Sequence, residues 1–278
     1  MKNAVVYLLN NHPKDINNFR LSIQYLVNNY LFSFPCDLIF FHESDFPQNE
    51  IELISNSLSK FHFNFKFVKI DFCIPAYSDE ILKEIPDFFP HPDFPECQGF
   101  SIGYRHMCRF FAGEIFKHPE LQSYNFIWRL DTDSFILNKF GYDVFEKMNT
   151  NNSIYGYINI QNDNEGVIKN LWPSCSKYFN SINKNNIFEN DSEFHFRKVF
   201  YTNFEIFNMS WFKSEEYQSF YNYIDESAGI YKYRWGDHVI RYIALNSLVD
   251  KDKLLFFNDI DYFHSERYFN REYSNSFV

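Results

Sequence analysis

Asn125-Phe126-Ile127-Trp128-Arg129-Leu130 runs directly into Asp131-Thr132-Asp133, so a short apolar segment ends in two carboxylates. A run of that length and apolarity reads as a strand buried in a sheet. In open α/β sheets, ligands bind beyond the carboxyl ends of the strands, which is where these acids fall. Two hard oxygen donors held together suit Mg²⁺ or Mn²⁺, ions that bridge nucleotide phosphates. The same triplet also reads as a solvated turn, and its surroundings must decide.

Upstream, Ala4 to Leu9 is a continuous apolar run that reads as a buried parallel strand. Residues from about Asp15 to Leu31 carry apolar side chains at helical spacing behind Pro13. Cys36 to Phe41 is a second strand, Glu50 to Leu58 a second helix, and Phe65 to Ile70 a third strand. This β-α-β-α-β order predicts an open parallel sheet with helices on both faces. From about Pro75 to Gln98 the pattern fails, because Pro75, Pro86, Pro90, Pro92 and Pro95 break it into an irregular excursion. Tyr104 to Phe116 resumes as a helix ahead of the opening strand.

Downstream, Ile154 to Ile160 and Phe204 to Phe207 read as strands, with polar loops around Trp172-Pro173 between them. Glu215 to Glu226 is an amphipathic helix closed by Gly229, and a last helix runs from about His238 to Leu248 with Asp237 as its cap. The expected fold is therefore α/β, one domain over 1–278, with a mixed, mostly parallel central sheet flanked by helices. Residues 1–74 form its nucleotide-binding half.

The composition agrees and excludes several classes. With 45% hydrophobic and 22% aromatic residues over 278 positions, the chain has core material enough to rule out intrinsic disorder. No run reaches the 18 to 20 apolar residues, roughly, that a membrane helix needs, and no secretory signal follows Met1. Five dispersed cysteines without a Cys-x-x-Cys pair point to a reducing compartment, so the expected location is cytoplasmic or otherwise soluble. A net charge of −10 argues against nucleic-acid and anionic-membrane partners. It allows a phosphorylated ligand wherever a metal supplies positive charge locally. Asn10-Asn11-His12 follows the first strand where a dinucleotide fold has Gly-x-Gly-x-x-Gly, and no Walker A loop, Gly-x-Ser-x-Gly elbow or His-Glu-x-x-His occurs.

Three further places carry chemistry-bearing side chains. Glu205, between Phe204 and Ile206, points outward from a half-buried strand or faces a pocket that raises its pKa. Tyr233-Arg234-Trp235-Gly236-Asp237-His238 is a dense cluster at a helix start, whose plain reading is Asp237 as N-cap and Trp235 as core packing. His264 stands alone near the C-terminus, a structural residue unless partners reach it. Metal-assisted nucleotide-sugar chemistry best combines an α/β sheet with Asp-x-Asp.

Five segments, in order and in register from about residue 98 to 264, resemble the fungal α-1,2-mannosyltransferases of glycosyltransferase family 15. They are Tyr104-Arg105-His106-Met107-Cys108-Arg109-Phe110, Trp128-Arg129-Leu130 before the acidic triplet, Thr202-Asn203-Phe204-Glu205-Ile206, Arg234-Trp235-Gly236-Asp237, and Phe256 to Ile260 with Tyr262-Phe263-His264. The resemblance implies a GT-A fold and retaining transfer of mannose from GDP-mannose to a sugar hydroxyl on a glycan acceptor, assisted by Mn²⁺ or Mg²⁺. It implies Asp131, Asp133 and His264 as metal ligands, Glu205 as the proposed nucleophile, Asp237 as an active-site acid and Tyr104 as an acceptor contact. Trp172 and Trp235 join Tyr104 as candidate sugar-stacking rings, and Asn10, Arg105 and Arg129 are the candidate nucleotide contacts.

Departures from the family pattern are equally specific. Asp131-Thr132-Asp133 stands where the family has Glu-Pro-Asp, and Asn10-Asn11 where an Arg meets the nucleotide. A UDP-sugar donor is therefore the alternative within this class, and a catalytically silent sugar-binding relative the alternative outside it. Family members carry an N-terminal membrane helix and stem in the Golgi, which this sequence does not display before its first strand.

Overall fold

In the computed structural model, which describes residues 1–75, 102–163, 165–184 and 197–269, seven strands form a central sheet. They are β1 (Asn3–Leu9), β2 (Asp37–His42), β3 (Phe65–Lys69), β4 (Phe126–Leu130), β6 (Tyr155–Tyr157), β9 (Phe204–Asn208) and β10 (Leu254–Phe256), in the order β10-β6-β9-β4-β1-β2-β3. The β1, β2, β3 and β4 pairings are all parallel, and β9 runs antiparallel between β4 and β6. The mixed, mostly parallel sheet expected from the sequence is present. Its N-terminal half is wholly parallel.

The inner strands β1, β2, β4 and β9 are buried on both faces, which is why they read as largely apolar runs, whereas the edge strand β3 alternates in polarity. Along β1, Ala4 and Val6 enter one core, while Val5, Tyr7 and Leu9 enter the other. Each fully buried aliphatic or aromatic side chain of this kind contributes about 1.5–3 kcal/mol. On one face lie α1 (Pro13–Leu26) and α2 (Gln48–Leu58). On the other lie α3 (Ile102–Arg109, continued by a π-helical turn and Ile115–Lys117), α5 (Leu171–Ser181), α6 (Glu215–Glu226) and α8 (Asp237–Leu248). The short α4 (Val144–Thr150) packs with the first set.

Small sheets complete the fold. β5 (Phe135–Ile136) pairs with β11 (Tyr262–His264), which pairs with β12 (Arg267–Phe269). β7 (Ile160–Asn162) pairs with β8 (Lys198–Phe200). The single strand expected over Ile154 to Ile160 is thus two, β6 and β7, in different sheets. Two helix boundaries also differ from the sequence reading. Ala228, at φ 56°, takes the left-handed position after α6, and Gly229 instead starts α7 (Gly229–Tyr233). Gly229 is needed there because a Cβ would stand 2.2 Å from the Trp235 ring. Gly236 holds the N-cap position of α8, and Asp237 is its first residue, with its carboxylate drawn away into an ion pair. The proline-rich stretch read from Pro75 to Gln98, and Cys97 within it, lie outside the described residues apart from Pro75 itself. Among the described residues, no helix is long and apolar enough to cross a membrane.

Candidate active site

The chain order turns at β1: β2 and β3 extend the sheet one way, and β4 returns to the other side of β1. Such a switch point leaves a crevice beyond the strand ends. A cavity of about 400 Å³ opens there, with Leu8, Asn10, Glu43, Tyr104, Asp131 and Asp133 in its wall.

The Asp131-Thr132-Asp133 turn is held from behind. Ser134, fully buried, accepts a hydrogen bond from the Asp131 backbone N–H at 3.1 Å, donates to the Asn203 carbonyl at 3.1 Å and lies 2.6 Å from the Tyr262 hydroxyl. β11 pairs with β5 directly beyond this turn and so delivers His264 to it. His264 Nε2 sits 2.9 Å from Asp133 Oδ1 and 4.0 Å from Asp131 Oδ2. Its Nδ1 lies 2.8 Å from the Tyr201 hydroxyl and 3.2 Å from the Asn203 amide nitrogen. The tight β11–β12 turn, with Ser265 and Glu266 at positive φ, lets Ser265 Oγ donate to Asp133 Oδ2 at 3.1 Å. Burial works against the Asp133 carboxylate, but hydrogen bonds from His264 and Ser265 outweigh it and hold its pKa below the usual range. Asp131 is pushed up by burial, against the pull of Arg129 and His264. Two carboxylates and an imidazole are a donor set that fits Mn²⁺ or Mg²⁺. Here His264 and Asp133 contact each other, and no three donors surround an open point among the described residues.

Behind the turn lies a second, fully enclosed group of charges. Arg129 on β4 pairs in register with Glu205 on β9, so both side chains leave the same face of the sheet. Arg129 Nη1 donates to Glu205 Oε1 at 3.0 Å and to Asp237 Oδ2 at 2.6 Å, and its Nε donates to Asp131 Oδ1 at 3.1 Å. The guanidinium also lies 3.6 Å from the Phe111 ring centroid. Glu205 Oε2 accepts from the Tyr155 hydroxyl at 2.8 Å and from Arg241 Nε at 3.3 Å. Arg241 in turn donates to the Phe111 carbonyl at 2.6 Å. Burial raises the Glu205 pKa despite Arg241 and Arg129, whereas for Asp237 burial is outweighed by Arg129 and His238 and its pKa falls well below the carboxylate range. His238 Nε2 lies 2.6 Å from Asp163 Oδ2, and its Nδ1 is 3.9 Å from Asp237 Oδ1.

The structure therefore brings together Asp131, Asp133, His264, Glu205, Asp237, Arg129, Asn10 and Tyr104. Arg129 is enclosed by carboxylates that neutralise it, so its guanidinium is not part of the cavity wall expected of a nucleotide contact. Arg105 is likewise buried and away from that wall. Trp235 is a core ring, 1% exposed, stacked on Tyr233 and donating from Nε1 to the Lys169 carbonyl; its faces are covered by protein. Trp172 is half-buried on α5, outside the wall. Residues that the sequence reading missed are Tyr155, Tyr201, Asn203, Arg241 and the Asp163–His238 pair. Arg241 had one usable signal: four positions after Asp237 on a helix, it shares that residue's face.

Comparison with known proteins places this chain among mannosyltransferases. The sequence model of the glycolipid 2-alpha-mannosyltransferase family matches residues 1–273. The probable mannosyltransferase KTR3 of Saccharomyces cerevisiae is 30% identical over 275 residues, covering 95% of this chain and 67% of that protein. The crystal structure of the S. cerevisiae mannosyltransferase Ktr4p in complex with GDP superimposes with a TM-score of 0.79 at 27% identity, over 96% of this chain and 72% of that one. The core-mannan synthase A of Aspergillus fumigatus, solved in a Mn/GDP form, shares the fold with a TM-score of 0.80 at 22% identity, over 96% and 76% of the two chains.

Proposed function

The chain belongs to the glycolipid 2-alpha-mannosyltransferase family of GT-A-fold glycosyltransferases, and from that premise we propose that it transfers mannose from GDP-mannose to a sugar hydroxyl, with retention and an α-1,2 linkage. The observation that carries the reading is the convergence of Asp131, Asp133 and His264 on one end of the cavity, with Glu205 and Asp237 enclosed directly behind. The GDP bound to Ktr4p, a relative that covers nearly all of this chain, supports the nucleotide. The whole chain, 1–278, acts in this reading as one catalytic domain.

Asp131, Asp133 and His264 would hold a divalent cation, which when bound supplies positive charge against the leaving diphosphate. Asn10 and Tyr104 lie on the wall where donor and acceptor groups enter. Tyr104 offers a ring face for sugar stacking. Glu205 is fully buried, with both oxygens engaged by Arg129, Arg241 and Tyr155. A carboxylate nucleophile needs a free oxygen facing the anomeric carbon. The enclosed geometry favours the other route, in which the acceptor attacks from the side of the leaving group while Glu205 and Asp237 fix Arg129 against the back of the acidic turn.

The test is transfer from GDP-mannose to methyl α-mannoside with Mn²⁺, the product read by NMR. An α-linked disaccharide is expected. A β-linked product, or none, would overturn the reading.

A further inference from the structure

His264 meets the acidic turn through Nε2, and the groups facing its other ring nitrogen decide what Nε2 can do there. Two side chains lie against Nδ1, the Tyr201 hydroxyl at 2.8 Å and the Asn203 amide nitrogen at 3.2 Å. An amide nitrogen only donates, so Nδ1 accepts. A neutral imidazole carries its one proton on the remaining nitrogen. That nitrogen is Nε2, which lies 2.9 Å from Asp133 Oδ1. In this form His264 ties down one carboxylate of the turn and has no lone pair to offer a cation. The other end of the same amide is out of balance. Asn203 Oδ1 is buried and, among the described residues, has no hydrogen-bond partner. A buried acceptor left without a donor is costly. The backbone of Asn203 is fixed, since its carbonyl accepts from Ser134 Oγ and from the Tyr262 hydroxyl, each at 3.1 Å. Only the amide is left to turn.

We propose that Asn203 is the positioning residue that sets the tautomer of His264, an inference that rests on Asp131, Asp133 and His264 being the cation site. A half-turn of the amide brings Oδ1 to Nδ1, where it accepts an N–H. Nε2 gives its proton to solvent and Nδ1 takes one up, so the imidazole stays neutral and its Nε2 lone pair faces the acidic turn. Asp133 is released in the same step, because it loses the N–H that it accepts. A histidine that ligates a metal needs its second ring nitrogen held by an acceptor in this way. The Tyr201 hydroxyl donates or accepts equally well and follows either form.

The first measurement needs no variant. Long-range ¹H–¹⁵N spectra of His264, assigned by the signals lost in His264→Gln, should show the Nε2–H form in the free protein and the Nδ1–H form with saturating Mg²⁺ and GDP. The second measures Kd for Mn²⁺ at fixed GDP on the wild type, Asn203→Ala, Asn203→Asp and Tyr201→Phe. Loss of an outer partner of this kind costs about 10–100-fold in metal affinity, so Asn203→Ala should bind Mn²⁺ at least about tenfold more weakly. Asn203→Asp keeps an acceptor at Nδ1; it should recover most of that loss and hold the Nδ1–H form even without the cation. Tyr201→Phe should cost less than Asn203→Ala. An Nε2–H form that persists with Mg²⁺ bound, an unchanged Mn²⁺ affinity in Asn203→Ala, or a larger loss in Tyr201→Phe overturns the role of Asn203 and leaves the cation site standing. A wild type that binds neither cation overturns both.

Discussion

Two groups of carboxylates share Arg129 and differ in almost everything else. Glu205 and Asp237 are 0% and 2% exposed, and the ion pairs that neutralise them come from guanidinium groups that are themselves buried. Asp131 and Asp133 keep about a third of their side chains in solvent, with His264 and Ser265 closing over Asp133 and Arg129 against Asp131. A buried charge without a partner is very costly, so the enclosed group must be fully paired within the protein before any ligand arrives. The open group can exchange its weaker internal contacts for a cation. In the proposed function the enclosed charges supply architecture and permanent electrostatics, and the open ones exchange ligands.

The largest expected effect breaks the enclosed group. Arg129→Met takes from Asp237 its guanidinium partner and leaves Glu205 with Arg241 alone, and should cost about 3–5 kcal/mol in urea unfolding; a loss below about 1 kcal/mol would show that the group is not held as described. Asp133→Asn acts on the open group. It should lower mannosyl transfer by about 10²–10³-fold, some 2.7–4 kcal/mol, while unfolding shifts little. Equal losses of stability in Arg129→Met and Asp133→Asn would erase the distinction between the two groups.

Gly229→Ala probes how tightly the enclosed side is packed, because the new methyl would meet the Trp235 ring at 2.2 Å. Overpacking of this kind costs about 1–3 kcal/mol, read as a lower Tm. The effect that depends on pH concerns His238. Burial alone would lower its imidazolium pKa, but hydrogen bonds to Asp163 and Asp237 outweigh burial and raise it to about 9. Its folded pKa lies above the unfolded value near 6.5. The stability it contributes is therefore complete below about pH 6.5 and lost as pH rises through 9. Urea unfolding of the wild type should weaken by up to about 3 kcal/mol over that interval, and His238→Gln should flatten the dependence.

Much of this was legible along the chain, because strands buried on both faces write themselves as apolar runs. β1 to β4, α1 and α2 were readable to within a few residues, and so was the placing of Asp131 and Asp133 beyond β4. The two- and three-residue strands β5, β7, β8, β11 and β12 were not, since nothing that short carries a period. Asp237 shows why local rules fail at such a site. Its position favours a cap by propensity, yet Arg129, 108 residues away, binds it more strongly than any backbone N–H would. Glu205 likewise kept two local readings, outward-facing or pocket-facing, and the structure has neither: it faces two arginines and a tyrosine brought together by sheet register and the last helix.

The central claim is that the open carboxylates, and not the enclosed ones, take up the cation and the nucleotide. Calorimetric titration of GDP with and without Mn²⁺, on the wild type and Asp133→Asn, tests it most directly. Mn²⁺ should tighten GDP binding at least about tenfold in the wild type, or 1.4 kcal/mol, and leave Asp133→Asn unchanged. An affinity indifferent to Mn²⁺ in the wild type, or an equal Mn²⁺ response in the variant, would contradict the account.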